Sequence, residues 1–301
     1  DQKISNPVVQ RETTTTYTLY VTDSEECTGY DQIIVSVNPE LLADAGDDME
    51  ICYGYEVELE GTAEGGSGEY TYTWTPNDNM DNYNDSDPIA SPLENTTYTF
   101  TVTDANGCVA TDEILIEVNP ELLVNAGDDE LICPGSEVQL EATAEGGTPD
   151  YQYQWSPVAG LSNSNTSSPI ASPEVTTTYT IHVTDNFGCV VSDQVIVEVN
   201  PELFADAGDD EFICYGSEVE LEAESDGGSG EHTYSWSPED GLSETDIANP
   251  IASPETTTSY TLTVTDENGC QITDHITIEV NPELFADAGD DEFICYGSEV
   301  E

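Results

Sequence analysis

Polar and apolar residues alternate along much of the chain. In EVELEGTA (56–63), Val57 and Leu59 fall on one face and Glu56, Glu58 and Glu60 on the other, the period-two pattern of a half-buried antiparallel strand. YTYTW (70–74) sets Tyr70, Tyr72 and Trp74 on one face with threonines opposite. TTYTFTVTD (96–104) directs Tyr98, Phe100 and Val102 inward, and DEILIEV (112–118) supplies a closing strand. Glu40 to Cys52 reads as an edge strand A kinked at Ala45-Gly46, followed by a turn at Tyr53-Gly54. EGGSGE (64–69) reads as a loop and DANGC (104–108) as a tight Asn-Gly turn. The Pro-, Asn- and Asp-rich stretch 75–91 has room only for short edge strands. About seven short strands around one central Trp predict an immunoglobulin-like β-sandwich. No helix of any length is predicted.

This pattern recurs. NPELFADAGDDEFICYGSEVE occupies 200–220 and returns unchanged at 281–301, with looser copies starting at Asn38 and Asn119, so the four starts are 81 residues apart. The chain therefore predicts an all-β tandem array of immunoglobulin-like β-sandwich domains of about 81 residues: complete repeats at 38–118, 119–199 and 200–280. Residues 1–37 match the C-terminal part of a repeat and 281–301 the N-terminal part. No apolar run approaches the roughly 20 residues that span a bilayer.

Charge constrains the chain further. The chain carries 64 Asp and Glu against two basic residues, Lys3 and Arg11, a formal net charge of −62. Ion pairs cannot hold such a fold together, and cations must offset its self-repulsion. Nucleic acid and anionic membrane are excluded as partners by sign. Disorder, the usual outcome of such acidity, is opposed by Val, Ile, Leu, Tyr and Trp recurring at strand spacing.

The eight cysteines form two 81-residue series: Cys27, Cys108, Cys189 and Cys270, and Cys52, Cys133, Cys214 and Cys295. With no CxxC and no clustered histidine, they read as disulfides of an exported protein rather than a zinc site. Cys52 lies at the turn between strands A and B, and Cys108 just after the F–G turn. In a sandwich these are opposite poles, separated by roughly 25 Å of strand, whereas a disulfide needs Cα atoms within about 7 Å. Head-to-tail stacking brings Cys52 toward Cys189 and Cys133 toward Cys270, giving a staple across each junction. The intradomain alternative, Cys52–Cys108, Cys133–Cys189 and Cys214–Cys270, holds if strand A is displaced.

Certain carboxylates keep their place in every copy: Glu40, Asp47, Asp48, Asp104 and Asp112, then Glu121, Asp128, Asp129, Asp185 and Asp193, then Glu202, Asp209, Asp210, Asp266 and Asp274. Adjacent strands A and G bring Asp47 or Asp48 near Asp112, and Glu40 near Asp104. Oxygen-only sites of this kind suit Ca2+, and these residues are the expected metal ligands. The competing reading is an acidic surface that solvates a halotolerant protein.

Taken together, DAGDD, I-C-x-G, YxYxW-[ST]-P, GLS, NPIASP, TTTYTLTVTD and NGC resemble the polycystic-kidney-disease (PKD)-like and immunoglobulin-like tandem repeats of large Bacteroidota surface proteins, such as SprB-type gliding-motility adhesins and other type IX secretion substrates. The chain differs from better-known PKD domains, which carry Trp-Asp-Phe-Gly-Asp-Gly after strand C; here stand WTPND, WSPVAGLS and WSPEDGLS. The resemblance implies an extracellular array at the bacterial cell surface, acting as stalk, spacer or adhesive filament.

No enzyme is expected. Trp74, Trp155 and Trp236 read as core pins rather than sugar platforms. The glycine loops lack Lys and read as turns. His182, His232 and His275 occupy different repeat positions, and no nucleophile motif appears. Two functions remain. One is a structural repeat region of an adhesin or filament, whose partners are neighbouring repeats and other copies. The other is a module binding a surface glycan or protein through its loops, a reading that the divergence of 75–91 from 156–172 and 237–253 favours.

Overall fold

The computed structural model describes residues 7–291 and 293–299, and among these only strands, bridges, turns and loops occur. Of the partial repeats expected at the two ends, residues 1–6, 292, 300 and 301 lie outside the described residues. Two compact units are formed: Asp1–Val124 with Ala144–Gln152 and Val183–Val191, and Asn125–Thr143 with Tyr153–His182 and Ser192–Glu301. One end of the second repeat thus belongs to the first unit and its remainder to the second.

In the first unit, β1 (Thr15–Thr22) and β2 (Thr28–Val35) form an antiparallel hairpin. The repeat that follows contains β3 (Leu42–Asp44), β4 (Met49–Ile51), β5 (Val57–Glu58), β6 (Thr62–Glu64), β7 (Thr71–Thr75), β8 (Ile89–Ala90), β9 (Thr96–Thr103) and β10 (Val109–Val118). One sheet has the order β4-β10-β9-β7, and opposite it β3 pairs with β6 and β5 with β8. This is an all-β, immunoglobulin-like sandwich.

The expected strand A is two strands. At Ala45-Gly46 it leaves β6 and, as β4, runs parallel to β10, with Ile51 opposite Val118. The switch is held from both sides: the Ala45 N–H donates to Asp112 Oδ2 at 2.8 Å, and Gly46 takes φ +86°, a conformation that favours Gly. The expected strand B is likewise divided, because β5 belongs with β8 and β6 with β3. Between them, the Leu59 and Gly61 N–H groups donate to the Pro88 and Ser86 carbonyls.

Trp74 is fully buried, its ring centroid 4.6 Å from that of Phe100, and its indole N–H donates to the Asp85 carbonyl. Trp155 and Trp236 are buried in the same way, donating to the Thr166 and Ile247 carbonyls. All three are core residues. Around Trp74 pack Ala45, Leu59, Tyr98, Phe100, Val102, Ile114 and Ile116, each large apolar side chain contributing about 1.5–3 kcal/mol by leaving water. The third repeat, in the second unit, has the same plan. Its sheet runs Glu211–Cys214, Gln271–Asn281, Thr258–Thr265, Thr233–Ser237, around a core centred on Trp236, Tyr260 and Leu262.

A volume exchange distinguishes the first core. A Cβ on Gly61 would stand 2.6 Å from the Phe100 ring. The equivalent pairs are Ala142 with Ile181 and Ala223 with Leu262, so the larger ring is matched by the smaller neighbour. Gly61→Ala is expected to lower the stability of this sandwich by about 1–3 kcal/mol through overpacking. Adding Phe100→Leu should restore most of the loss, as read from the first unfolding transition in urea.

Candidate functional site

The residues that meet at the A–B turn form the most elaborate polar arrangement in each unit. In the first unit, the chain leaves β10 at Asn119, whose N–H donates to the Ile51 carbonyl at 2.8 Å. Two residues on, the Glu121 carbonyl accepts the Gly147 N–H at 3.0 Å. A Cβ on Gly146 would overlap that carbonyl oxygen, and one on Gly147 would stand 2.7 Å from Asp185 Oδ2; both glycines have positive φ. The Gly-Gly pair therefore does more than turn the chain. It lets the linker lie directly on the loop that precedes strand C.

Asp185 organises the other side. Its carboxylate accepts the N–H groups of Thr148, Gly188 and Cys189 at 2.8–2.9 Å, while its own N–H donates to the Cys189 carbonyl. The F–G turn is thereby closed in the shape that presents Cys189. Thr148 Oγ1 donates to Asn119 Oδ1, tying this turn to the linker. Opposite, the Cys52 carbonyl accepts the Tyr55 N–H. The two cysteines are bonded, with S–S 2.06 Å and Cα–Cα 5.6 Å across 137 residues of sequence.

The second unit repeats the design with a denser network. Cys133 is bonded to Cys270, with S–S 2.03 Å and Cα–Cα 5.5 Å. Asn200, only 4% exposed, donates its N–H to the Ile132 carbonyl and its Nδ2–H to Asp266 Oδ2, while its Oδ1 accepts from Ser229 and Asn268. Asp266 Oδ1 accepts the Cys270 N–H at 2.9 Å.

The intradomain pairs Cys52–Cys108, Cys133–Cys189 and Cys214–Cys270 are not formed. Within the first sandwich, β4 pairs with the end of β10 at Val118, whereas Cys108 precedes its start at Val109. Those ends lie roughly 30 Å apart at about 3.3 Å per residue. Strand A is not displaced, so the bond cannot close. Cys27, Cys108, Cys214 and Cys295 are free and exposed.

Nine of the fifteen carboxylates expected to hold a cation accept hydrogen bonds from backbone N–H groups. Asp48, Asp129 and Asp210 accept from Leu115, Ile196 and Thr277, each at 2.8 Å. Asp112, Asp193 and Asp274 accept from Ala45, Ala126 and Ala207. These six contacts fasten strand A to strand G. Asp104, Asp185 and Asp266 close the F–G turns. Glu40, Glu121 and Glu202 contribute their carbonyls to Gly66, Gly147 and Gly228, and Asp47, Asp128 and Asp209 are exposed. Among the described residues, no three His, Cys, Asp or Glu side chains gather in a group able to hold a metal ion.

Burial alone would raise the Asp104, Asp185 and Asp266 carboxyls. The N–H groups converging on each of them, led by that of the following cysteine in Asp104 and Asp266 and that of Thr148 in Asp185, outweigh burial and hold them below the ordinary carboxylate range.

No family model matches the chain. It is 34% identical over 113 residues to an uncharacterised protein of Ruminiclostridium cellulolyticum, a match covering 36% of this chain and 30% of that protein. The chain thus spans less than a third of this relative. Among solved structures it is similar to the N-terminal eight Ig domains of Down Syndrome Cell Adhesion Molecule, with TM-score 0.48 and 15% identity over 89% of this chain and 40% of that one. It is also similar to a three-Ig fragment of titin, with TM-score 0.40 and 11% identity over 82% of this chain and 100% of that one.

Asp185→Asn tests the turn. A carboxyl with a depressed folded pKa contributes stability that is complete above its unfolded value, about 3.9, and is lost as pH falls through the folded value. The variant should melt several degrees below the parent at pH 7, and the gap should close as pH drops below about 4. A gap independent of pH would mean that the charged acceptor is not what matters.

Proposed function

We propose that the chain is part of an extracellular, surface-displayed array in which each 81-residue repeat is one immunoglobulin-like domain and the array serves as a covalently braced spacer. The observation that carries this reading is the order of the bonded cysteines. Cys52, Cys133, Cys189 and Cys270 are joined first to third and second to fourth, so the two closed loops overlap. A backbone break anywhere between Cys52 and Cys270 leaves the chain in one covalent piece.

Three further features support it. Disulfides persist in oxidising surroundings outside the cytosol. The −62 charge and near absence of Lys and Arg keep such an array soluble and resist lateral association. Recurrence of the same 81-residue pattern adds length without adding new kinds of surface. The resemblance to Bacteroidota surface repeats agrees with the stalk of an adhesin or filament.

Bracing has a mechanical consequence. The shortest covalent path runs from Cys52 through sulfur to Cys189, back along the backbone to Cys133, and through sulfur to Cys270. It replaces the 218 residues between Cys52 and Cys270 by the 56 between Cys133 and Cys189, so with both tails the taut chain is roughly half of its full contour at about 3.3–3.6 Å per extended residue. Stretched between its ends in an optical trap, the oxidised chain should reach about half the length that it reaches after reduction with dithiothreitol. Equal extension in both conditions would refute a bracing role.

A further inference from the structure

The first sandwich carries a cleft of about 610 Å³ between the segment after strand C and the segment entering strand F, lined by Pro76, Asp78, Asn79, Leu93, Glu94 and Tyr98 among others. One substitution between repeats falls on its wall. Where this repeat has Asn79, the others have Gly160 and Gly241. A Cβ on Gly160 would stand 2.8 Å from the Tyr179 hydroxyl and 3.1 Å from the Pro173 backbone; on Gly241 the distances to Tyr260 and Pro254 are 2.9 and 3.0 Å. With glycine, the tyrosine and proline close over the turn, and the tyrosine hydroxyl donates to the Ala159 or Asp240 carbonyl. Asn79 carries a Cβ at this position.

The frame around the turn is unchanged. Ser91 N–H donates to the Asn79 carbonyl as Ser172 and Ser253 do to Gly160 and Gly241, and Asn79 keeps the left-handed conformation, φ +59°. The difference is what the tyrosine does. Tyr98 is 1% exposed, yet its hydroxyl, on the cleft wall, makes no bond equivalent to those of Tyr179 and Tyr260. Burial and then the nearby Asp78 charge raise its pKa above the ordinary value, so it remains a donor at neutral pH. Among the described residues no buried side-chain donor or acceptor lacks a partner, so the Tyr98 hydroxyl meets solvent in the cleft and is free to bond a ligand.

We infer that this cleft is a binding site for an uncharged pyranose ring, present in the first repeat and closed in the third and in the equivalent turn of the second. The chemistry selects among ligand classes. Asp78 and Glu94 accept hydrogen bonds and repel anions. An apolar ligand would strip water from both carboxylates without replacing it. A protonated amine would suit the carboxylates but has no lone pair to accept from the Tyr98 hydroxyl. Sugar hydroxyls donate to the first pair and accept from the second group, and the C–H face of the ring fits against Pro76 and the exposed Leu93, which replaces Glu174 and Glu255 of the other repeats. This inference does not depend on the spacer role: a braced array with no sugar affinity and a sugar-binding array with no brace are separately observable.

The test is titration of the whole 301-residue chain with methyl glucoside, mannoside and galactoside, followed by saturation-transfer NMR, with spermidine and sialic acid as charged controls. At least one neutral glycoside should bind in the millimolar range. Asn79→Gly installs the residue that the other repeats carry, and should leave the thermal transitions in place while weakening binding at least tenfold. Tyr98→Phe should weaken it as well. Absence of binding by every neutral glycoside at tens of millimolar, equal binding by Asn79→Gly, or binding of spermidine alone would each overturn the inference.

Discussion

A disulfide tolerates little error in position, and the two in this protein join cysteines of successive repeats. Closing Cys52 on Cys189 at a Cα separation of 5.6 Å requires that one repeat's A–B turn and the next repeat's F–G turn both be shaped in advance and brought together. The polar residues of the junction serve that requirement. Asp185 gathers three N–H groups to shape the F–G turn. Gly146 and Gly147 remove the side chains that would hold the linker away, and Asn119 fixes where the linker begins. In the second unit Asn200 takes over several of these contacts at once, bonding Asp266, Ser229 and Asn268 from one buried side chain.

Charge is managed in the same local way. With almost no Lys or Arg, the protein has no salt-bridge network to draw on, and among the described residues the one close contact of this kind is between the His275 ring and Asp274 at 3.9 Å, an ion pair only when the ring is protonated. Three of the four recurring aspartates in each repeat are instead satisfied by backbone N–H groups. Such bonds stabilise an ionised carboxylate without a cationic side chain. That is how positions such as Asp48 and Asp112 can recur in every copy while belonging to the strand A–strand G contact. The remaining exposed carboxylates supply solubility and mutual repulsion.

Much of the sandwich was legible in the sequence because strand alternation and the core Trp are local signals. The kink at Ala45-Gly46 was legible too, but its consequence was not: β4 leaves one sheet for the other because β10, some sixty residues on, offers it an edge. The split of strand B has the same non-local cause. Leu203 is 5% exposed in a strand whose partners come from Glu224–Gly227, again a contact that local alternation does not announce. Asn119 and Asn200 read as linker residues and the Gly-Gly pairs as turns. Their repetition in every copy was the available signal; only the close approach of two distant backbones explains it. Spacing likewise brings the recurring carboxylates to notice but does not reveal the backbone N–H groups that nine of them accept.

The central claim is the covalent link between successive repeats. Its most direct test is peptide mapping of the oxidised chain without reduction, with free thiols blocked beforehand. Cross-linked peptides joining Cys52 to Cys189 and Cys133 to Cys270, with Cys108 and Cys214 recovered blocked, are the predicted result. Recovery of Cys52 joined to Cys108, or of Cys133 joined to Cys189, would contradict it.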